Sequence, residues 1–188
     1  MTGARRPHLL GIDDGPFRIH VDRETPIVGV MMEGAVRVEN VVITRFPVDG
    51  PDVTAFLANW IRSMTFHPAL QGIVLGGITI AGLGVVDVTL LAERTGIPVL
   101  AVSRHDPRAH RLGDALRTAR LEDRLSIVER TPPASRLGGV WMAAAGAGVE
   151  EARALVEAGR GKAEVPEALR VAHLIARALV TGASRGRA

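Results

Sequence analysis

The apolar residues of this chain first change period at Asp52, and that change limits what it can fold into. Before it come a short apolar run at 8–13 (HLLGID), ended by Asp-Asp-Gly-Pro, and two runs rich in β-branched residues at 26–33 (PIVGVMME) and 36–48 (VRVENVVITRFPV). These read as strands, the last two joined as a hairpin through Gly34-Ala35 and partnered with the first. From 52 to 64, Val53, Phe56, Leu57, Trp60, Ile61 and Met64 recur at three-and-four spacing, which predicts a helix with Asp52 as its N-cap. A buried strand at 71–75, a helix at 83–94 stopped by Thr95-Gly96, and a buried strand at 97–103 follow. Strand, helix, strand requires a parallel crossover.

The remainder predicts a helix at 112–121, a short strand at 126–129, a strand at 140–145, a helix at 149–158 and an amphipathic helix at 166–180 with Pro166 in its first turn. Three antiparallel strands followed by parallel ones flanked by helices is the ribonuclease-H-like order of an α/β mixed sheet. A dinucleotide-binding fold would need a glycine-rich turn leading from strand one into a helix. Here Asp13-Asp14-Gly15-Pro16 leads into more extended chain. The 188 residues suit one core, so a single domain over 1–188 is expected.

Cysteine is absent, which removes disulfides, thiolate metal sites and a thiol nucleophile. No apolar run is long enough to span a bilayer and the first residues lack a signal-peptide core, so a cytoplasmic protein without membrane contact is expected. The isoelectric point near 10.7 overstates the positive field. The net charge is only +3, and with 22 of the 23 basic residues being arginine, little titrates between histidine and arginine. Residues 1–103 carry 8 Arg against 10 acids, net −2, and residues 104–188 carry 15 basic against 10 acidic residues, net +5. Eight of those arginines, Arg104, Arg108, Arg111, Arg117, Arg120, Arg124, Arg130 and Arg136, fall within thirty-three residues alongside five acids. Such clustering suits a nucleic-acid backbone, although interleaved acids also describe a solvated, ion-paired face.

Candidate chemistry lies where strands end. Asp13 and Asp14 close strand one, and neighbouring strand residues face opposite sides, so one of them can serve a site on a given face. A carboxylate there is a ligand for a hard divalent cation, while Asp-Asp-Gly-Pro is also an ordinary turn. Asp49 and Asp52 flank Gly50-Pro51 and could bring in a second carboxylate, or simply form a turn and cap. Gly76, Gly77, Thr79 and Gly82 lie between a parallel strand and a helix, where glycines admit close backbone approach and a helix start offers N–H groups to phosphate; close helix packing accounts for them equally. Arg104 and His105 end the next parallel strand, fit for phosphate binding and proton transfer or for a solvated loop. Asp87 reads as a structural residue at a helix start.

The stretches LGIDDGPF, VDGPDVT, GIVLGGITIAGLGVVDVTLLAERTGIPVLAVSRHDP and PEALRVAHLIARALVTGASRGRA span nearly the whole chain. They resemble the uncharacterised, largely archaeal domain-of-unknown-function family 99 (DUF99, UPF0215-type), itself similar to endonuclease V. The resemblance implies an endonuclease-V-like fold, action on DNA or RNA, and magnesium or manganese held by carboxylates. It assigns Asp13 or Asp14 as the strand-one aspartate, Asp49 or Asp52 near the nuclease's glutamate, and Arg104 in place of its lysine. Gly76 falls where the nuclease has an aspartate, so one metal-binding carboxylate is missing from the pattern.

The leading expectation is a divalent-metal-dependent nuclease or nucleic-acid-processing protein. Its catalytic residues would be Asp13, Asp14, Asp52 and Arg104, its metal ligands Asp13, Asp14, Asp49 and Asp52, and its phosphate contacts Gly76, Gly77, Thr79, Gly82, Arg104 and His105. Two alternatives stand beside it: a nucleic-acid-binding protein without the metal centre, and an enzyme on a small phosphorylated or nucleotide substrate.

Overall fold

The computed structural model describes residues 6–107 and 111–185. In chain order these form β1 (His8–Asp14), β2 (Glu24–Glu33), β3 (Arg37–Pro47), α1 (Val53–Ser63), β4 (Gly72–Leu75), β5 (Thr79–Ile80), β6 (Gly84–Val85) and α2 (Val88–Thr95). Then come β7 (Val99–Ser103), α3 (Leu112–Thr118), α4 (Leu125–Arg130), β8 (Ser135–Leu137), β9 (Val140–Ala145), α5 (Val149–Ala158) and α6 (Glu167–Thr181).

Seven strands make one mixed sheet in the order β3-β2-β1-β4-β7-β9-β8. β1, β2 and β3 are antiparallel neighbours, whereas β4 pairs parallel with both β1 and β7. The expected antiparallel-then-parallel order therefore holds, and β9 and β8 extend it with two further antiparallel pairings. β5 and β6 form a small separate hairpin above the end of β4.

Alternation along the strands divides the interior into two layers. Leu10, Ile12, Ile27, Ile73 and Leu75 pack with Val53, Leu57, Ile61 and Leu91 of α1 and α2. Leu9, Val28, Val30, Val74 and Leu100 pack with Val156 of α5 and with Ala168, Leu169, Ala172 and Ala176 of α6. The small residues of α6 bring it close to the sheet, and Gly11 of β1 completes the fit: a Cβ there would overlap the Ala168 and Leu169 backbone. No helix among the described residues is long and apolar enough to cross a membrane.

Three local expectations are corrected. The segment expected as a strand at 126–129 is helical as α4, its start anchored by Arg124, which is buried and binds the backbone carbonyls of Leu83 and Asp49. The helix expected from residue 83 begins at Val88, since Gly84 and Val85 instead pair with Thr79 and Ile80 and Asp87 caps the helix through Leu90 N–H at 3.0 Å. Asp52 stands at the α1 N-cap but adopts φ 57° and makes no side-chain cap bond. Arg108 of the arginine run lies outside the described residues.

Candidate functional site: a basic groove at the end of β1

Strand alternation sends Asp13 and Asp14 to opposite faces. Asp13 points to the α6 side, where its Oδ2 lies 2.7 Å from Nδ1 of His173. His173 is held there by the close seating of α6 on β1, which Gly11 permits. The hydrogen bond to Asp13 raises the imidazole pKa above its ordinary value, against partial burial and the nearby Arg177. The carboxylate thus favours the protonated form of the ring.

Asp14 points to the other face, under the β5–β6 hairpin. Burial, reinforced by the neighbouring Asp13 charge, pushes its carboxyl up to about 7 despite a hydrogen bond from the Ala81 backbone. Asp49 is committed to the same hairpin: its Oδ1 accepts from Leu83 N–H at 2.7 Å and its own N–H donates to the Ala81 carbonyl at 2.8 Å. Arg124 locks this corner by donating to the carbonyls of Leu83 at 2.6 Å and Asp49 at 2.7 Å. Asp52 is exposed and lines no part of the groove around Asp13.

The groove on the α6 side has a volume of about 910 Å³. Asp13, Gly76, Arg104, His105, His173 and Arg177 contribute to its wall. Asp13 is the single carboxylate lining it, and of its arginines Arg170 is already bound to Glu167 at 2.6 Å. Arg104, Arg177 and Arg185 have no ion-pair partner among the described residues. The groove is therefore an anion-attracting cleft with one carboxylate–imidazole pair at its base.

Of the residues singled out in the sequence, the groove unites Asp13, Gly76, Arg104 and His105. It does not receive Asp14, Asp49, Asp52, Gly77, Thr79 or Gly82. Gly77, Thr79 and Gly82 belong to the hairpin segment instead, where Gly82 is packed against Asp49 and Phe17. Nor does the helix start after it face an anion unassisted, because the Asp87 carboxylate takes Leu90 N–H and is itself paired with Arg130 at 2.7 Å. The structural reading of Asp87 fits those bonds. Sequence reasoning passed over His173, Arg170 and Arg177. Their signal was present as a polar stripe at i, i+3, i+7 on the otherwise apolar final helix.

A divalent cation held by several protein carboxylates does not fit this arrangement. No group of three or more metal-binding His, Asp or Glu side chains converges among the described residues. The one carboxylate in the groove able to contact a magnesium-type ion that takes its other ligands from water and phosphate is Asp13.

Sheet order and the final helix on β1 define a mixed α/β fold of the ribonuclease-H-like, endonuclease V kind. The endonuclease V of Streptomyces avermitilis superimposes with a TM-score of 0.59 at 16% identity, over 94% of this chain and 82% of that one. The endonuclease V of Ciona intestinalis, in complex with a 24mer DNA containing an inosine followed by a ribo-adenosine, gives 0.52 at 13%, over 88% and 82%. At these identities the likeness is one of fold.

Within that class the chain belongs to the Endonuclease dU family, which matches residues 5–180. It is 33% identical to a UPF0215 protein of Methanosarcina barkeri over 96% of this chain and 94% of the relative. A UPF0215 protein of Archaeoglobus fulgidus is 36% identical over 96% and 97%. A crystal structure of a protein of unknown function from the same archaeon superimposes with a TM-score of 0.84 at 34% identity, covering 93% of this chain and 98% of that one.

Proposed function

We propose that this protein is an endonuclease that binds a DNA strand in the basic groove and hydrolyses a phosphodiester near a deaminated base. Deoxyuridine is the first candidate, from the family's name. The observation that carries the reading is the Asp13–His173 pair, 2.7 Å apart in a groove whose other charged side chains are arginines.

Hydrolysis adds a water oxygen to phosphorus and breaks one P–O ester bond, and the departing oxygen needs a proton. With Nδ1 bonded to Asp13, His173 keeps Nε2 to deliver that proton to a group in the groove. The Asp13 carboxylate orients the ring and stabilises its charged form. Arg104 and Arg177 neutralise the strand's phosphates, and arginine, which does not release a proton, suits binding over acid–base work. A magnesium or manganese ion, held by Asp13 with His173 beside it, would supply Lewis-acid polarisation of the phosphate.

One observation favours a second reading, binding without cleavage. Gly76 ends β4 beside Asp13 with no carboxylate of its own, and multi-carboxylate metal centres need more than Asp13 offers. End-labelled oligonucleotides carrying a single deoxyuridine, a single inosine or neither, incubated with and without magnesium or manganese, separate the two. Cleavage dependent on the deaminated base and lost in Asp13→Ala and His173→Ala supports the enzyme; binding of every strand with no cleavage supports the second reading. Failure to bind any strand at low salt overturns both.

A further inference from the structure

We infer that the short tail after α6 is a phosphate-binding arm of the groove, with Arg185 and Ser184 as its ligands for a backbone phosphodiester. The inference rests on the reading of the groove as a strand-binding cleft and assigns part of that work to residues outside the Asp13–His173 centre.

The helix is stopped so that the tail turns back. Gly182 takes φ 74°, a left-handed conformation that glycine adopts without penalty, and its N–H closes on the Ala178 carbonyl at 2.9 Å. Thr181 Oγ1 lies 2.6 Å from the Ala183 carbonyl and 2.9 Å from that of Arg177, tying the reversal to the last helical turn. Ala183, Ser184 and Arg185 consequently line the same groove as Asp13, Gly76 and Arg104.

Two observations there point to a ligand. Ser184 Oγ is the one buried side-chain polar atom of the described residues with no hydrogen-bond partner. A buried donor left without an acceptor is unfavourable, and folded chains seldom keep one. Arg185 is exposed and has no carboxylate partner among the described residues, and the groove's single acid is already engaged by His173. A diester phosphate carries one negative charge on two unbridged oxygens. A guanidinium fork can take both, and a serine hydroxyl, which changes rotamer easily, can donate to one.

The test is fluorescence-anisotropy titration of a labelled single-stranded oligonucleotide over a range of salt, with the full chain and with Arg185→Ala, Arg185→Lys and Ser184→Ala. Arg185→Ala should weaken binding roughly five- to tenfold at low salt and reduce the slope of log K against log salt by about 1. Arg185→Lys should restore the slope, because it restores the charge. Ser184→Ala should weaken binding about threefold with the slope unchanged and without lowering Tm, since it removes only an unpartnered hydroxyl. Wild-type binding that none of these variants alters in affinity or slope would overturn the tail's role while leaving the groove reading intact. No binding by the unaltered chain would overturn the groove reading and the inference together. Thermal stabilisation by inorganic phosphate, with none by the oligonucleotide, would reassign the tail to a free anion and likewise overturn its role with a strand.

Discussion

Gly76 leaves an opening directly against Asp13: a side chain's first carbon at position 76 would stand 3.8 Å from Asp13 Oδ1, with Leu169 equally far and nothing nearer. The position after β4 can therefore take a Cβ at ordinary contact distance from its neighbours. Gly76→Asp should create a two-carboxylate site and tighten manganese binding by roughly tenfold, since affinity for hard cations follows ligand charge. Calorimetric titration of both proteins checks this; equal affinity would mean that Asp13 is not a metal ligand.

The Asp13–His173 hydrogen bond gives a pH signature. A raised imidazole pKa means that the pair's contribution to stability is complete below the ordinary value of 6.5 and is lost as pH rises through the higher folded value. NMR titration of the His173 ring should give a midpoint above 6.5, falling back in Asp13→Asn. If His173 delivers the leaving-group proton, His173→Ala should reduce cleavage by about 10²- to 10⁴-fold.

Asp14 should add to that loss of stability with rising pH. Its carboxyl, pushed up from 3.8 to about 7, holds its proton in the folded chain over a range where the unfolded chain has released it. Stability from this group therefore falls as pH rises between those two values. Asp14→Asn, which keeps an oxygen for the Ala81 N–H and carries no charge, should raise Tm above pH 7 and flatten that fall. Thermal melts from pH 4 to 8 give the comparison.

Gly11→Ala should lower stability by about 1–3 kcal/mol or more, the range for overpacking a tight interior. The added methyl would push the start of α6 off β1, so His173 should lose its contact with Asp13 as well. Denaturant unfolding together with the His173 titration tests both effects at once.

Arg124→Leu should also destabilise, by roughly 1–3 kcal/mol, because it leaves the part-buried carbonyls of Leu83 and Asp49 without this donor. A negligible change in the unfolding midpoint would mean that water replaces the guanidinium.

The fold was largely legible because it is written in local periods. Val53, Leu57 and Ile61 announced α1, and the run Ile73-Val74-Leu75 announced a strand buried on both faces, since buried area depends on repeated apolar residues along one element. The misreadings fell where distant contacts overrule local preference. Ser126 to Glu129 were expected as a strand, yet they are helical beside Arg124, which is anchored at Leu83 and Asp49. Gly84 and Val85 continued an apparent helix but pair with Thr79 and Ile80.

The candidate site was legible only in part. Asp13, Gly76, Arg104 and His105 were found because strand ends at one edge of a parallel sheet converge whatever the details. Asp49 and Asp52 looked like partners for Asp13, but the first is spent on the hairpin and the second faces solvent.

By itself the sequence determined most of the order of strands and helices and the strand end that carries the carboxylates, because each depends on residues a few positions apart. Which of Asp13 and Asp14 faces the groove, that His173 from 160 residues away meets Asp13, and that Ser184 and Arg185 return to the same cleft were decided by the tertiary structure alone. Those relations depend on how closely α6 can lie on β1, a distance set by packing at Gly11 and Ala168 that no local pattern encodes.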